Sequence, residues 1–155
     1  MKQTFAIIFL VVIGFIIAGT AELTAQKRNK KAVVSIPAGD IKWEEMKGGP
    51  PGIMYSTVSG DMTKGRYAAF VKLPAGSTHP LHIHTNDVKL VVISGTFWLA
   101  LEGGHQVKLG PGSYLFVPGG LRHISGVTSD ADCVLFQESS GKFDLLPVTD
   151  ETKDH

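Results

Sequence analysis

The stretch HPLHIH, which runs from His79 to His84, holds three histidines within six residues. In an extended segment, side chains two positions apart point to the same face, so His82 and His84 present their imidazoles side by side. Two adjacent imidazoles form half of a binding site for a borderline metal ion. His79 faces away on a straight strand, but Pro80 could bend the chain and turn His79 toward the pair. An exposed histidine pair needs no metal to explain it, so the prediction of a metal site requires a third ligand.

A further histidine follows in the stretch GPGSYLFVPGGLRHISG. His123 comes after an apolar run and a Pro-Gly-Gly turn, and a hairpin there would bring it beside His82 and His84. Asp87 lies close to the pair in sequence, but on a strand it would join them only if a bulge re-aimed its side chain. The residues predict a metal site at His82, His84 and His123, with His79 and Asp87 as additional candidate ligands.

Short apolar runs separated by turn residues fill the chain from about residue 32 onward. Apart from the N-terminal segment, no long stretch shows a helical period, and strands at spacings of roughly 8–12 residues predict an all-β sandwich or barrel. The turn signals SG and EGG predict that three consecutive strands form an antiparallel meander. We predict strands at residues 33–36, 41–46, 53–58, 67–73, 88–94, 96–101, 106–109, 113–117, 123–127, 133–138 and 143–146, with the meander at 88–94, 96–101 and 106–109.

The composition excludes several classes of protein. A formal net charge of +1 gives no reason to expect nucleic acid or an anionic surface as a partner. The single cysteine, Cys133, excludes an intrachain disulfide and is predicted to be a small buried hydrophobe. We expect most of the aromatic residues that alternate along the strands to be core residues: Trp43, Trp98, Phe70, Phe97, Tyr114 and Phe116.

The N-terminus has the character of a targeting segment. A basic start, an apolar run of about fifteen residues and a small-residue exit predict a signal peptide, cleaved after Ala21 or Ala25, and a periplasmic or secreted protein. The basic cluster KRNKK follows the apolar run, so an uncleaved N-terminal membrane anchor is the alternative. We predict four regions: a signal peptide or anchor at 1–25, a basic linker at 26–35, one domain at 36–150 and a polar tail at 151–155.

The spacing of the histidines, glycines and proline resembles the two sequence motifs of the cupin superfamily. These motifs are G-x5-H-x-H-x3,4-E-x6-G and G-x5-P-x-G-x2-H-x3-N. The stretches VVISGT, LGPGSYLFVPGGLRH and GKFD are similar to the ChrR-like subgroup, and the similarity extends from about Ile41 to Pro147. The matching positions are Gly76, His82, His84 and Gly95 in the first motif, and Gly112, Pro118, Gly120 and His123 in the second.

The resemblance implies a conical β-barrel of two antiparallel sheets, also called a double-stranded β-helix or jelly roll. It implies one divalent metal ion, Fe(II) or Zn(II), held by the three histidines, and a homodimer. Two positions depart from the motifs: Val88 replaces the glutamate and Val127 replaces the asparagine. A valine cannot bind a metal, so the resemblance implies a site of three histidines with open coordination positions, as in some cupin dioxygenases.

Loss of the carboxylate has an electrostatic consequence. Three neutral imidazoles leave the charge of a divalent ion uncompensated by protein, which favours an anionic or bidentate oxygen ligand. We therefore expect a metal-dependent enzyme, dioxygenase-like, that acts on a small oxygen-rich or anionic molecule. Two alternatives remain open: a non-catalytic module that binds or senses a small ligand or a metal, and a barrel that has lost its metal along with the glutamate.

Overall fold

The computed structural model describes residues 33–149, and the fold below is that of the compact unit that begins at Ile36. The predicted signal peptide or anchor at 1–25, most of the predicted basic linker and the predicted tail at 151–155 lie outside the described residues. Between residues 33 and 149, no helix is both long enough and apolar enough to cross a membrane.

Strands make up nearly all of the regular structure between residues 33 and 149, and one short 3-10 turn, Ala38–Asp40, precedes them. The strands are β1 (Glu44–Glu45), β2 (Met54–Gly60), β3 (Tyr67–Leu73), β4 (Thr78–Ile83), β5 (Val88–Ser94), β6 (Phe97–Leu101), β7 (Val107–Leu109), β8 (Tyr114–Val117), β9 (His123–Val127), β10 (Cys133–Ser139) and β11 (Leu146–Pro147).

The strands form two sheets, and all of the pairings are antiparallel. The first sheet has six strands in the order β1-β2-β3-β10-β5-β8, and the second has five in the order β11-β4-β9-β6-β7. The inward faces of the two sheets supply the apolar core. In β5, for example, Val88, Leu90 and Val92 are buried while the residues between them are exposed. The all-β, two-sheet prediction is confirmed, and Cys133 is fully buried in the core, as predicted.

The predicted meander is wrong at its first turn. β6 pairs with β7 as expected, but β5 does not pair with β6; it lies between β10 and β8 in the other sheet. The chain passes from one sheet to the other at Gly95, which has a φ of 75°. A Cβ atom at Gly95 would lie 2.4 Å from the carbonyl oxygen of Asp132, so a glycine is required here for close contact with the chain that leads into β10.

The prediction that most of the aromatic residues are core residues is wrong. Of the six, only Phe97 belongs to the buried core. Trp43, Phe70 and Trp98 are half-buried, and Tyr114 and Phe116 are 60% and 44% exposed on the outer face of β8. The predicted first strand, 33–36, is not a strand, and Val33 is 94% exposed. Of the last predicted strand, 143–146, only Leu146 pairs with a neighbour, together with Pro147.

Candidate metal centre

Three histidines meet on the inward face of the five-stranded sheet. His82 lies on β4 and His123 on β9, where the two residues are direct cross-strand partners. His84 follows the last residue of β4 and points to the same side as His82, as the two-residue spacing predicts. Each side chain offers one ring nitrogen such that the three nitrogens lie within 4.8 Å of one another. The structure thus brings together His82, His84 and His123.

Backbone carbonyls hold all three imidazole rings by the same nitrogen. Nδ1 of His82 donates to the carbonyl oxygen of Pro80 at 2.6 Å, and Nδ1 of His123 donates to that of Leu121 at 2.9 Å. A carbonyl can only accept a hydrogen bond, so each Nδ1 must carry the proton. The neutral rings therefore have their lone pairs on Nε2, the form in which an imidazole binds a metal ion.

The ring of His84 is held by a distant part of the chain. Its Nδ1 donates to the carbonyl oxygen of Asp144 at 2.5 Å, sixty residues further along the sequence. The carboxylate of Asp144 in turn accepts a hydrogen bond from the amide of Thr85 at 2.8 Å. Phe143 packs beside the ring of His84, with their centroids 5.3 Å apart. The segment after β10 therefore fixes the orientation of the third imidazole.

Burial keeps these imidazoles neutral. His82, His84 and His123 are 1%, 8% and 2% exposed. Desolvation lowers the pKa of all three rings, that of His82 from 6.5 to about 4, because the apolar surroundings disfavour the charged imidazolium. Near neutral pH each ring is unprotonated at Nε2 and needs to lose no proton before it binds a cation.

The donor set fits a divalent metal ion. Three neutral imidazoles with their lone pairs free suit zinc, iron, copper or nickel, and the carbonyls behind them are the outer partners that metal-bound histidines usually have. Three protein ligands leave at least one coordination position open, which is typical of a catalytic site and not of a structural one. His82, His84 and His123 would hold the ion.

The three histidines line a cavity of about 750 Å³ between the sheets. Gln137 adds a polar group to its wall, and the amide of Gln137 donates to the hydroxyl of Tyr67 at 2.5 Å. Burial raises the pKa of the Tyr67 phenol to about 12, so this pair is neutral. Charged residues also line the cavity: Glu44, Glu45, Lys47, Lys142 and Asp144. Much of the remaining wall is apolar, with residues from both sheets and from the segment before β2: Ile53, Val71, Val88, Leu90, Leu99, Leu115, Val117 and Leu135.

The two additional candidate ligands lie in different places. His79 is buried and lines the same cavity, because the pairing of β4 with β9 shifts register between His79 and His82. Its ring does not belong to the group of three nitrogens. Asp87 is exposed, and its carboxylate accepts a hydrogen bond from the amide of Gly119 at 2.8 Å. The structure does not bring Asp87 to the histidines.

Three residues with a part in the site were absent from the sequence prediction. Asp144 orients His84 through its backbone carbonyl, so the residue type at position 144 gives no sign of this role. Asp144 is the last residue of the GKFD stretch. Gln137 has a detectable signal, since it occupies an inward position in the apolar alternation of β10. Ser125 faces His79 from the neighbouring strand, two residues after His123.

The family model described as the ChrR Cupin-like domain matches residues 31–142. No curated protein matches the sequence. Among solved structures, the polyketide cyclase RemF from Streptomyces resistomycificus is 19% identical with a TM-score of 0.62, and the match covers 76% of this chain and 87% of that one.

Two further structures show the same fold. An RmlC-like cupin protein from Ralstonia eutropha is 20% identical with a TM-score of 0.62, over 77% of this chain and 74% of that one. The DMSP lyase DddQ from Ruegeria pomeroyi is 22% identical with a TM-score of 0.55, over 76% and 64%. The two-sheet architecture, the motif spacing and the family match lead to one conclusion: this chain belongs to the ChrR Cupin-like family.

Proposed function

We propose that this protein is a metal-dependent enzyme that acts on a small anionic or oxygen-rich molecule. His82, His84 and His123 would bind one divalent ion, Fe(II) or Zn(II), through Nε2. The observation that carries this proposal is the set of three carbonyls that each accept the Nδ1 proton of one ring. With the Nδ1 protons held by carbonyls, each ring keeps its Nε2 lone pair free, and three such nitrogens within 4.8 Å of one another suit a cation.

The cavity supports the predicted class of substrate. Its volume of about 750 Å³ lies in the range of roughly 300–1,000 Å³ that is usual for small-molecule sites. Val88 supplies no negative charge at the motif position of the glutamate. A bound divalent ion would act as a Lewis acid for oxygen ligands and would lower the pKa of bound water. The apolar walls would keep other water away from the reacting molecule.

We propose a dioxygenase-like reaction, the cleavage of a β-dicarbonyl or phenolic compound by molecular oxygen. The support is the three-histidine ligand set, which leaves positions open for more than one small molecule. The structurally similar proteins described as a polyketide cyclase and as DMSP lyases support, at the level of the fold, a cavity used for small-molecule chemistry.

The first experiment measures metal content by elemental mass spectrometry. The mature chain is purified without chelator or affinity metal, beside the double variant His82→Ala/His84→Ala. His105→Ala is the matched control, because His105 is an exposed histidine that lies between the two motifs and belongs to neither. We expect about one equivalent of metal in the wild type and in the control, and none in the double variant. Equal metal in all three proteins would refute the site.

The second experiment measures oxygen consumption by the iron-loaded protein with a panel of β-dicarbonyl and phenolic compounds. Turnover that is lost in the double variant would support the enzyme. The alternative function is a non-catalytic module that binds or senses a small ligand. The presence of Val88 where the motif has a carboxylate favours this alternative. Tight binding of a panel compound with no product, in a protein that holds its metal, would establish it.

Two further properties are proposals of the same kind. We propose that the chain is exported after cleavage near Ala21 or Ala25, and N-terminal sequencing of the protein from cell fractions tests this. We also propose a homodimer, for which the exposed aromatic edge at Tyr114 and Phe116 is the candidate interface. Light scattering of the wild type beside a Tyr114→Lys/Phe116→Lys variant measures the mass; a monomeric wild type would contradict the proposal.

A further inference from the structure

His79 is an inward-facing residue because β4 contains one extra residue. Two steps along β9, from Ser125 to His123, correspond to three steps along β4, from His79 to His82. Such a bulge turns both ends of the irregular stretch to the same face of the sheet. His79 is accordingly 4% exposed and lines the cavity that holds the three-histidine group.

The hydrogen bonding of His79 differs from that of the other three histidines. Its Nδ1 lies 3.3 Å from the hydroxyl oxygen of Ser125, which can either donate or accept, and not against a carbonyl. Its Nε2 is buried and has no hydrogen-bond partner within residues 33–149. Native proteins rarely leave a buried polar nitrogen unpaired, because the loss of hydration is not compensated. Nε2 of His79 is therefore free to form a hydrogen bond with a molecule that enters the cavity.

The geometry places His79 outside the group of metal-ligating nitrogens and points to a molecule bound beside the ion as its partner. The ring centroid of His79 is 6.3 Å from that of His82 and the two rings are nearly perpendicular, whereas His82 and His123 are 4.2 Å apart. The nitrogens of His82, His84 and His123 form the group of three without His79. His79 thus lies farther from His82 than His123 does, and its position suits a contact with a molecule bound beside the ion.

We propose that His79 binds the anionic oxygen ligand of the metal site, with its Nε2–H donating to a ligand oxygen while another oxygen of the ligand faces the three histidines. For Nε2 to donate, Nδ1 must accept, so in the proposed tautomer the hydroxyl of Ser125 donates to Nδ1. The ligand class is a small dianion or enolate with oxygens at both ends of a short bridge. This proposal rests on the proposed function, because it needs a metal ion at His82, His84 and His123.

The test uses the cobalt(II)-loaded full protein and oxalate, with the visible absorption of cobalt as the reading of both metal and ligand. The variants are His79→Phe, which fills the space without a donor, His79→Asn, which restores a donor, and Ser125→Ala. His105→Ala is the control. We expect His79→Phe to bind one equivalent of cobalt with an unchanged spectrum, and to bind oxalate about tenfold to thirtyfold more weakly, as for a lost hydrogen bond to a charged group. Ser125→Ala should weaken oxalate by about threefold, and His79→Asn should recover part of the affinity.

Each other outcome decides the matter. Equal dissociation constants for oxalate in the wild type and His79→Phe would overturn the proposal. Loss of cobalt or a changed cobalt spectrum in both His79 variants before oxalate is added would assign His79 to the metal site itself, and would overturn it as well. A wild type that takes up no cobalt would refute the proposed function and this inference together, and it is seen before any oxalate is present.

Discussion

Replacement of Val88 by glutamate tests whether the missing carboxylate would reach the metal centre. Val88 is 4% exposed, pairs with Val117 and Ser139, and lines the cavity with the histidines. Without metal, Val88→Glu loses the burial of the valine side chain, about 1.5–3 kcal/mol, and must bury a carboxyl group. We expect the free energy of unfolding to fall by about 4 kcal/mol in total. Val88→Gln has a similar shape but no charge, and we expect it to lose about 2–3 kcal/mol.

Zinc should stabilise Val88→Glu more than it stabilises Val88→Gln. At a zinc concentration one hundred times the dissociation constant of the wild type, binding stabilises a protein by about 2.7 kcal/mol. We expect this increment for the wild type and for Val88→Gln. A fourth, negatively charged ligand that tightens binding about a hundredfold would raise the increment for Val88→Glu to about 5 kcal/mol.

The assay is urea unfolding of the three proteins with zinc and with a chelator, followed by tryptophan fluorescence. The quantity compared is the difference between the two free energies of unfolding for each protein. If the zinc increments of Val88→Glu and Val88→Gln are equal, the side chain at position 88 does not face the metal, and the alignment of Val88 with the motif glutamate is wrong.

The remaining predictions concern pH, the outer partners and the backbone. In the metal-free protein the pKa of His82 is lowered from 6.5 to about 4, so the unfolded chain takes up this proton first as the pH falls. The contribution of His82 to the free energy of unfolding is therefore full above pH 6.5 and decreases by up to about 3 kcal/mol as the pH approaches 4. Urea unfolding across that pH range measures the decrease. Asp144→Ala removes the acceptor for the Thr85 amide and should weaken zinc about tenfold in a competition titration with a chelating dye; unchanged affinity would show that the Asp144 carbonyl needs no such support. In Gly126→Ala the new Cβ would lie 2.5 Å from the Ser77 carbonyl oxygen and 2.6 Å from the Trp98 ring, so we expect a loss of about 3 kcal/mol in thermal unfolding, against a change within about 0.5 kcal/mol for Gly110→Ala, where nothing lies within 4 Å.

Much of the fold could be predicted because the strands have strong local signals. The predicted bounds of β3, β5 and β9 agree with the structure, since an apolar alternation or run ends there in glycine or polar turn residues. The wrong turn at Gly95 has a physical reason. A Ser-Gly pair between apolar runs supplies a positive φ for a hairpin and for a corner between two sheets alike, and only the position of β10 decides between them.

The site could be predicted in part for the same reason. The convergence of His82 and His84 follows from the two-residue period of a strand, and their meeting with His123 follows from motif spacing. The inward position of His79 depends on a register shift between two strands that are far apart in sequence. A bulge is set by pairing in the folded sheet, so Pro80 alone could suggest it but not establish it.

The carbonyls behind the three rings have a consequence for how this site tolerates mutation. Every residue type except one that distorts the backbone supplies the same carbonyl at positions 80 and 121, whereas at position 144 the side chain also matters because it accepts from the Thr85 amide. Side-chain substitutions at positions 80 and 121 can therefore accumulate without removing the carbonyls that orient His82 and His123. The lining of the cavity can change to suit a new substrate while the histidines keep their orientation. The metal-binding residues can therefore stay the same during evolution while the residues that determine substrate specificity change.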